Sequence, residues 1–147
     1  MQQLNQRGFT VIELMTVVVI VTVLVTIAAP SFTKMIAQQR LRDATSALTE
    51  SLWLARSEAV KRDTPVGFAF TSVGAGWQVT ISAANTMIQA QDPIPSISSA
   101  KGAYTFNSFG RLTSGVGKLE ITHAGTGLKR CLSVTTAGRV NTKDGAC

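Results

Sequence analysis

Residues 14–33 form an uninterrupted run of 20 positions without a charged side chain. A helix of this length spans a hydrocarbon core of about 30 Å, so the run predicts a membrane-spanning helix near the N-terminus. Glu13 stands directly before the run. Because a carboxylate at the centre of a bilayer costs roughly 2.5–3.5 kcal/mol, an acid at the entrance to such a helix is expected to have a partner and a function.

The residues before this run predict an unusual processing site. An ordinary secretory signal has small residues at a cleavage site after its apolar core, whereas Gly8 lies before the core. Cleavage after Gly8 would remove a short polar leader that carries Arg7 and would keep the apolar helix. The alternative is an ordinary signal anchor in which Glu13 lies in the headgroup region of the membrane.

Residues 8–13, with the sequence GFTVIE, resemble the class III signal of type IV prepilins and pseudopilins. The resemblance implies that a prepilin peptidase cuts after Gly8 and methylates Phe9 as the new N-terminus. Glu13 would then pair with the N-terminal ammonium group of a neighbouring subunit, which stabilises the buried carboxylate and sets the axial register between subunits. Pro30 resembles a proline at a similar position in many pilins, and it predicts a local helix kink.

The second half of the predicted helix is amphipathic. Its apolar residues recur at spacings of three and four, which predicts one stripe that packs on a sheet: Leu41, Ala44, Leu48, Leu52, Ala55 and Ala59. The whole helix is predicted from about Phe9 to about Lys61, because Pro65 cannot continue it.

The remaining residues predict an antiparallel sheet. Residues 66–70 and 77–81 flank a turn and are typical of a hairpin. Further strands are predicted at 104–106, 118–122, 130–134 and 139–141. The expected fold class is α+β and type IV pilin-like, with the second half of the long helix packed on the sheet. The predicted divisions are a leader at 1–8, a transmembrane half-helix at 9–30 and a periplasmic or extracellular pilin domain at 31–147.

Two cysteines, Cys131 and Cys147, favour a disulfide. A secreted domain lies where disulfides persist, and this bond would close a loop of about 15 residues, worth on the order of 3 kcal/mol. The alternative is a metal site, which two cysteines and the single His123 are too few and too far apart to form. No metal and no cofactor are therefore expected.

Features of the soluble part are similar to the GspH/FimT branch of minor pilins and pseudopilins. The resemblance lies in residues 54–60, in Gly110, in the Gly138-Arg139 pair and in the two cysteines. It implies a filament subunit at the bacterial inner membrane, in a type IV pilus or a type II secretion system. The implied partners are other minor and major pilins or pseudopilins, a prepilin peptidase and an inner-membrane assembly platform.

An alternative function is the binding of double-stranded DNA for uptake in natural transformation. Some members of this branch carry a Gly-Arg-x-Arg motif, and Gly138, Arg139, Val140 and Asn141 occupy the matching positions. Asn141 replaces the second arginine, and Lys143, Lys129 and Arg130 would have to restore the charge on one face. The competing interpretation is a hairpin turn with solvated charges, in which Gly138 supplies a positive φ.

No catalytic constellation is recognisable in the sequence. His123 has no cysteine or second histidine spaced to act with it, so we expect it to be hydrogen-bonded or exposed. Trp53 and Trp77 are expected to pack in the core or on the sheet. The sequence therefore predicts a protein that is not an enzyme.

Overall fold

The computed structural model describes residues 8–115 and 117–147, so residues 1–7, including Arg7, lie outside the described part of the chain. The first element is the helix α1 (Val11–Lys61), 51 residues long. It begins after Thr10, whose Oγ1 accepts a hydrogen bond from the backbone N–H of Glu13 at 3.3 Å. The predicted long helix is confirmed, and its first turn starts two residues later than expected.

The chain divides into two compact units, Met1–Ile36 and Ala37–Cys147, and α1 runs through both. In the first unit α1 is long and apolar enough to cross a membrane, and its apolar segment is not buried by the rest of the chain. Three threonine hydroxyls of this segment donate to helix carbonyls at 2.7–2.8 Å, so these donors are satisfied within the helix: Thr16 to Ile12, Thr22 to Val18 and Thr26 to Val23.

The helix assignment continues through Pro30, which therefore does not end α1. A kink at this residue stays a prediction, as does the division of the chain at residues 8 and 30.

Nine strands follow α1 in the described residues and form two antiparallel sheets. The five-stranded sheet has the order β3-β2-β1-β5-β6, and the four-stranded sheet has the order β4-β7-β8-β9. The strands are β1 (Val66–Phe70), β2 (Trp77–Ile81), β3 (Thr86–Gln91), β4 (Ile97–Ser99), β5 (Gly102–Phe106), β6 (Leu112–Gly115), β7 (Lys118–His123), β8 (Lys129–Val134) and β9 (Val140–Asp144).

The core lies between the second half of α1 and the two sheets. All six residues of the predicted helical stripe are at most 4% exposed, so the amphipathic pattern is confirmed. Phe68 is fully buried among Phe70, Trp77 and Tyr104, with ring centroids 5.8–6.2 Å away. Aromatic side chains at these spacings contribute a large share of the buried apolar area.

The hairpin predicted from residues 66–70 and 77–81 is confirmed as β1 and β2, with Phe68 opposite Val79. The sequence did not predict β3, β4 and β6. The strand β3 contains a bulge at Ile88, opposite Val79 and Thr80 of β2, which interrupts the alternation of apolar and polar residues. The strand β4 has only three residues, and β6 consists of Leu112 and three small residues, so neither carries a clear period.

The predicted disulfide joins Cys131 to Cys147 with a Cα–Cα distance of 5.0 Å. It anchors the C-terminal tail against the four-stranded sheet, where the backbone N–H of Gly145 donates to the carbonyl of Lys129 at 2.9 Å. The expectation for Trp77 holds, since it is 2% exposed. The expectation for Trp53 was wrong, because this side chain lies on the outer face of α1 and is 56% exposed.

Candidate functional site

The segment around Gly8 and Phe9, for which the sequence predicts processing, is accessible in the described structure. Gly8 and Phe9 precede the first turn of α1, and the side chain of Phe9 is 84% exposed. A Cβ placed on Gly8 would meet no atom within 4 Å. The peptide bond between these two residues is therefore outside regular structure, where a protease can extend the chain into its active site.

Glu13 lies in the first turn of α1 and is exposed. Thr10 and Glu13 have the spacing of a capping box, in which a threonine side chain accepts from the backbone N–H three residues later. A carboxylate in the first turn also interacts favourably with the helix dipole. Glu13 takes part in none of the ion pairs found among the described residues, so its charge is open to a group from outside this chain.

The four basic residues proposed from the sequence for DNA do not form one patch. Lys129 pairs with Glu120 at 2.8 Å, and Arg130 pairs with Asp144 at 2.9 Å. Side chains alternate along a strand, so Arg130 shares the core-facing side of β8 with the buried Leu132, whereas Lys129 lies on the other side.

The two remaining members of that set, Lys143 and Arg139, are exposed and form no ion pair within the described part of the chain. Lys143 is paired in register with Cys131, which places it on the same side as Lys129. Arg139 lies in the turn just before β9, whereas Lys143 lies near the other end of this strand. The compact basic face that the motif required is thus absent from these four residues.

The paired charges also explain the electrostatics of this sheet. The hydrogen bond from the Lys129 ammonium holds the pKa of the Glu120 carboxyl below its usual value. The positive charge of Lys129 and a hydrogen bond from the backbone N–H of Cys147 act in the same direction, and partial desolvation opposes them. Lys129 and Glu120 therefore connect β8 to β7 next to the disulfide.

Two buried glycines bring distant turns into contact. Gly138 has φ +76° and Gly110 has φ +70°, a backbone region that favours glycine. A Cβ on Gly138 would lie 2.5 Å from the carbonyl oxygen of Gly110. The backbone N–H of Leu112 also donates to the carbonyl of Thr136 at 3.0 Å. The Gly138 of the predicted motif is therefore required for packing between the β5–β6 and β8–β9 turns.

Arg56 of α1 closes this junction. Its Nη1 donates to the carbonyl of Gly138 at 3.3 Å, and its Nε lies 3.1 Å from the position that a Cβ would take on either glycine. Each glycine is followed by an arginine, Arg111 or Arg139, so the segments that carry these two arginines both come next to Arg56. None of the three forms an ion pair among the described residues.

Sequence reasoning singled out Arg139 but missed Arg56 and Arg111. The available signal was the repeated Gly-Arg pair at residues 110–111 and 138–139, together with an arginine in the helical run 54–60. The contact between Arg56 and Gly138 joins residues 82 positions apart, so a local sequence pattern cannot predict it.

His123 lies at the end of β7 and is 7% exposed, so it is buried. Its Nδ1 is 3.3 Å from Thr126 Oγ1, whereas its buried Nε2 has no hydrogen-bond partner among the described residues. His123 is thus hydrogen-bonded through one of its two ring nitrogens. Residues 8–115 and 117–147 contain no group of three or more His, Cys, Asp or Glu side chains that could hold a metal ion.

Comparisons with known proteins identify a family and a fold. The profile described as "Type II transport protein GspH" matches residues 44–138, and that of the "Prokaryotic N-terminal methylation motif" matches residues 3–29. Two crystal forms of the type IV minor pilin FimU of Pseudomonas aeruginosa are 24% identical to this chain. The P65 form has a TM-score of 0.58 and covers 70% of this chain and 92% of FimU, and the P21 form has 0.61, 72% and 90%. No curated protein gave a significant match.

Proposed function

The chain belongs to the GspH family of minor pilins and pseudopilins, and we propose that it initiates or joins a type IV pilus or type II secretion pseudopilus at the inner membrane. The observation that carries the proposal is the order of features in residues 8–33. An accessible processing site comes first, one acid follows in the first helical turn, and an exposed apolar helix comes next. Because the family is one of filament components, other pilins or pseudopilins are the partners, and no catalytic activity is proposed.

The proposed processing places the leader in the cytoplasm and the unit Ala37–Cys147 in the periplasm. A prepilin peptidase cuts the accessible bond between Gly8 and Phe9 and methylates the new amino group. An inner-membrane assembly platform then moves the processed chain into the filament. Mass spectrometry of the mature protein tests this step: we expect an N-terminal peptide that begins at a methylated Phe9, and a peptide that still begins at Met1 would refute it.

We assign Glu13 an electrostatic role in assembly, in which it pairs with the ammonium group of a neighbouring subunit's N-terminus. Glu13→Gln separates this role from helix capping, because glutamine serves in a capping box but carries no charge. We expect Glu13→Gln to be processed normally and to be lost from sheared filaments. Normal incorporation would limit Glu13 to the cap.

Thr10→Ala is the matched variant for the same assay. It removes the hydroxyl that accepts from the Glu13 N–H and keeps the charge. If the carboxylate acts through the neighbour, Thr10→Ala is incorporated and Glu13→Gln is not. If Glu13→Gln is incorporated and Thr10→Ala is not, the cap is the function of this pair.

DNA binding is the second candidate function. Arg139 and Lys143 support it, because both are exposed and neither has an ion pair with another described residue. Such binding would be independent of sequence and would weaken steeply with salt, because phosphate contacts release counterions. A gel shift with double-stranded DNA over a salt series tests it, with Arg139→Ala, Lys143→Ala as the control. The absence of a shift at low salt would leave filament assembly as the function.

A further inference from the structure

The segments that meet at the Gly110–Gly138 junction carry exposed aromatic and arginine residues. We propose that this surface, called the arginine–aromatic surface below, docks an acidic, apolar segment of a different subunit in the same filament; the inference rests on the filament function proposed above. It consists of Trp53, Arg56, Val60, Phe109, Arg111 and Arg139.

The three segments that carry the arginine–aromatic surface pack against one another. A Cβ on Gly110 would lie 3.0 Å from Val60 Cγ2 and 3.1 Å from Arg56 Nε, so the turn that carries Phe109 rests on this part of α1. A shallow groove of about 450 Å³ continues along the helix. It is lined by Trp53, Arg56, Ser57, Val60 and Lys61.

Large apolar side chains in this surface face solvent. Phe109 is 82% exposed, Trp53 is 56% exposed and Val60 is 53% exposed. Clustered exposed apolar groups mark interaction sites more often than single ones do. Aromatic residues and arginine are also the residue types enriched at the energetic centres of protein interfaces.

Phe109 lies in a turn whose conformation is fixed by hydrogen bonds to Asn107. The Asn107 side chain accepts hydrogen bonds from the backbone N–H groups of Phe109 at 3.1 Å and Arg111 at 2.9 Å. The Asn107 carbonyl accepts from the Gly110 N–H at 2.8 Å, and the Asn107 N–H donates to the carbonyl of Arg111 at 3.0 Å. A turn fixed in this way loses little conformational entropy when a partner binds.

The turn from Thr135 to Arg139 is ordered by hydrogen bonds in the same way. The carbonyl of Thr135 accepts from the Gly138 N–H at 2.8 Å, and its hydroxyl accepts from the Arg139 N–H at 3.1 Å. The Thr135 N–H donates to the carbonyl of Arg139 at 2.9 Å. Both arginine-bearing turns are thus fixed before any partner arrives.

Charge selects the occupant of the arginine–aromatic surface. Lys61, Arg62, Lys129 and Arg130 all have carboxylate partners, whereas the three arginines of this surface have none in the described ranges. A segment with carboxylates beside an apolar side chain satisfies both features, because it pairs with the arginines and covers Phe109 and Trp53. The phosphate backbone of a DNA duplex would pair with the arginines but leave the apolar groups uncovered.

Photocrosslinking in cells tests the docking. The full-length chain carries p-benzoylphenylalanine at position 109, and the crosslinked peptide is sequenced from assembled filaments. We expect a peptide of another filament subunit with Asp or Glu beside an apolar residue. Arg111→Glu with Arg139→Glu should lower the yield about tenfold or more, and the Lys101→Glu, Lys118→Glu control, with the same change in charge, should not.

Further outcomes decide the inference. Restored crosslinking after the partner's carboxylates are changed to lysine confirms the charge pairing. A crosslink to DNA or to a second copy of this chain overturns the proposed occupant, as does an equal yield from the two charge-reversed proteins. If the chain enters filaments without any crosslink from position 109, the inference fails and the filament function stands. If it is neither processed nor incorporated, the filament function fails as well. The identity of the peptide is decisive even if the arginine variant is unstable.

Discussion

Replacing Gly138 by alanine tests whether the glycine of the Gly-Arg pair is required for packing. Two costs arise in this substitution. The first is conformational, because alanine must adopt φ +76°. The second is steric, because its Cβ would lie 2.5 Å from the Gly110 carbonyl oxygen. Because the contacting atom belongs to the backbone, rotation of a side chain cannot relieve the clash.

The chain contains a matched control for the conformational cost alone. Gly127 has φ +66°, and a Cβ placed on it would meet nothing within 4 Å. A left-handed alanine costs about 1–2 kcal/mol, which is the destabilisation expected for Gly127→Ala. Forcing extra volume into a packed site adds about 1–3 kcal/mol, so Gly138→Ala should cost about 2–5 kcal/mol in total.

Thermal unfolding of the compact unit Ala37–Cys147 measures these costs. For a domain of this size, 1 kcal/mol corresponds to a change in Tm of about 4 °C. The expected decrease is about 4–8 °C for Gly127→Ala and about 8–20 °C for Gly138→Ala. Gly110→Ala should fall between them, because the atoms nearest its Cβ belong to the side chains of Val60 and Arg56.

Equal decreases in Tm for Gly138→Ala and Gly127→Ala would refute the reasoning. The two turns would then move apart at little cost, and the contact between Gly110 and Gly138 would not contribute to stability. Such a result would also weaken the docking proposal, since the arginine–aromatic surface depends on this junction.

Three further predictions concern the stability of the same unit. Burial raises the pKa of Tyr104 from 10.0 to about 12. The neutral phenol is therefore favoured in the folded state, and its contribution to the free energy of unfolding is complete below pH 10. That contribution, about 2–3 kcal/mol, is lost between about pH 10 and 12. Tyr104 is the only tyrosine, so phenolate absorbance should appear near pH 12 or together with unfolding, and a midpoint near pH 10 in the folded protein would contradict this. Reduction of Cys131–Cys147, which are 16 positions apart, should destabilise the unit by about 3 kcal/mol; a Cys131→Ser, Cys147→Ser protein with unchanged chemical denaturation would show that the tail is held without the bond. Phe109→Ser should change the free energy of unfolding by less than about 0.5 kcal/mol, because the side chain is 82% exposed, and a larger loss would mean that Phe109 packs on its own domain.

The sequence predicts the elements whose pattern is long and regular. The apolar run and the stripe from Leu41 to Ala59 extend over many turns, so one misplaced residue does not hide their period. The β1–β2 hairpin is recognisable because its strands are apolar or alternating around a short turn. The strands β3, β4 and β6 are short, polar or bulged, and they form because neighbouring strands offer hydrogen-bond partners, a cause that is not written in their own residues.

The candidate sites differ in the same way. Gly8, Phe9 and Glu13 lie within six residues of one another, so a local motif was sufficient to propose them as a site. The basic residues near the C-terminus were grouped by proximity along the chain, and strand alternation together with the ion pairs of Lys129 and Arg130 separates them. In the folded chain, the residue beside Gly138 is instead Arg56 of α1. Arg56 is 82 positions away in the sequence, so a local motif does not connect the two.

The Gly-Arg pair therefore has two separable parts. Gly138 is buried and fixes one turn against another, so a packing requirement explains this residue whether or not any partner binds. Arg139 is exposed and unpaired in the described structure, so packing does not explain it. A match to the glycine of the Gly-Arg-x-Arg motif alone therefore does not indicate DNA binding. The residues around Arg139 are more informative about the ligand. The adjacent Gly138 contacts Arg56, and the turn that packs on Gly138 carries the exposed Phe109. This combination favours a protein over a nucleic acid as the ligand.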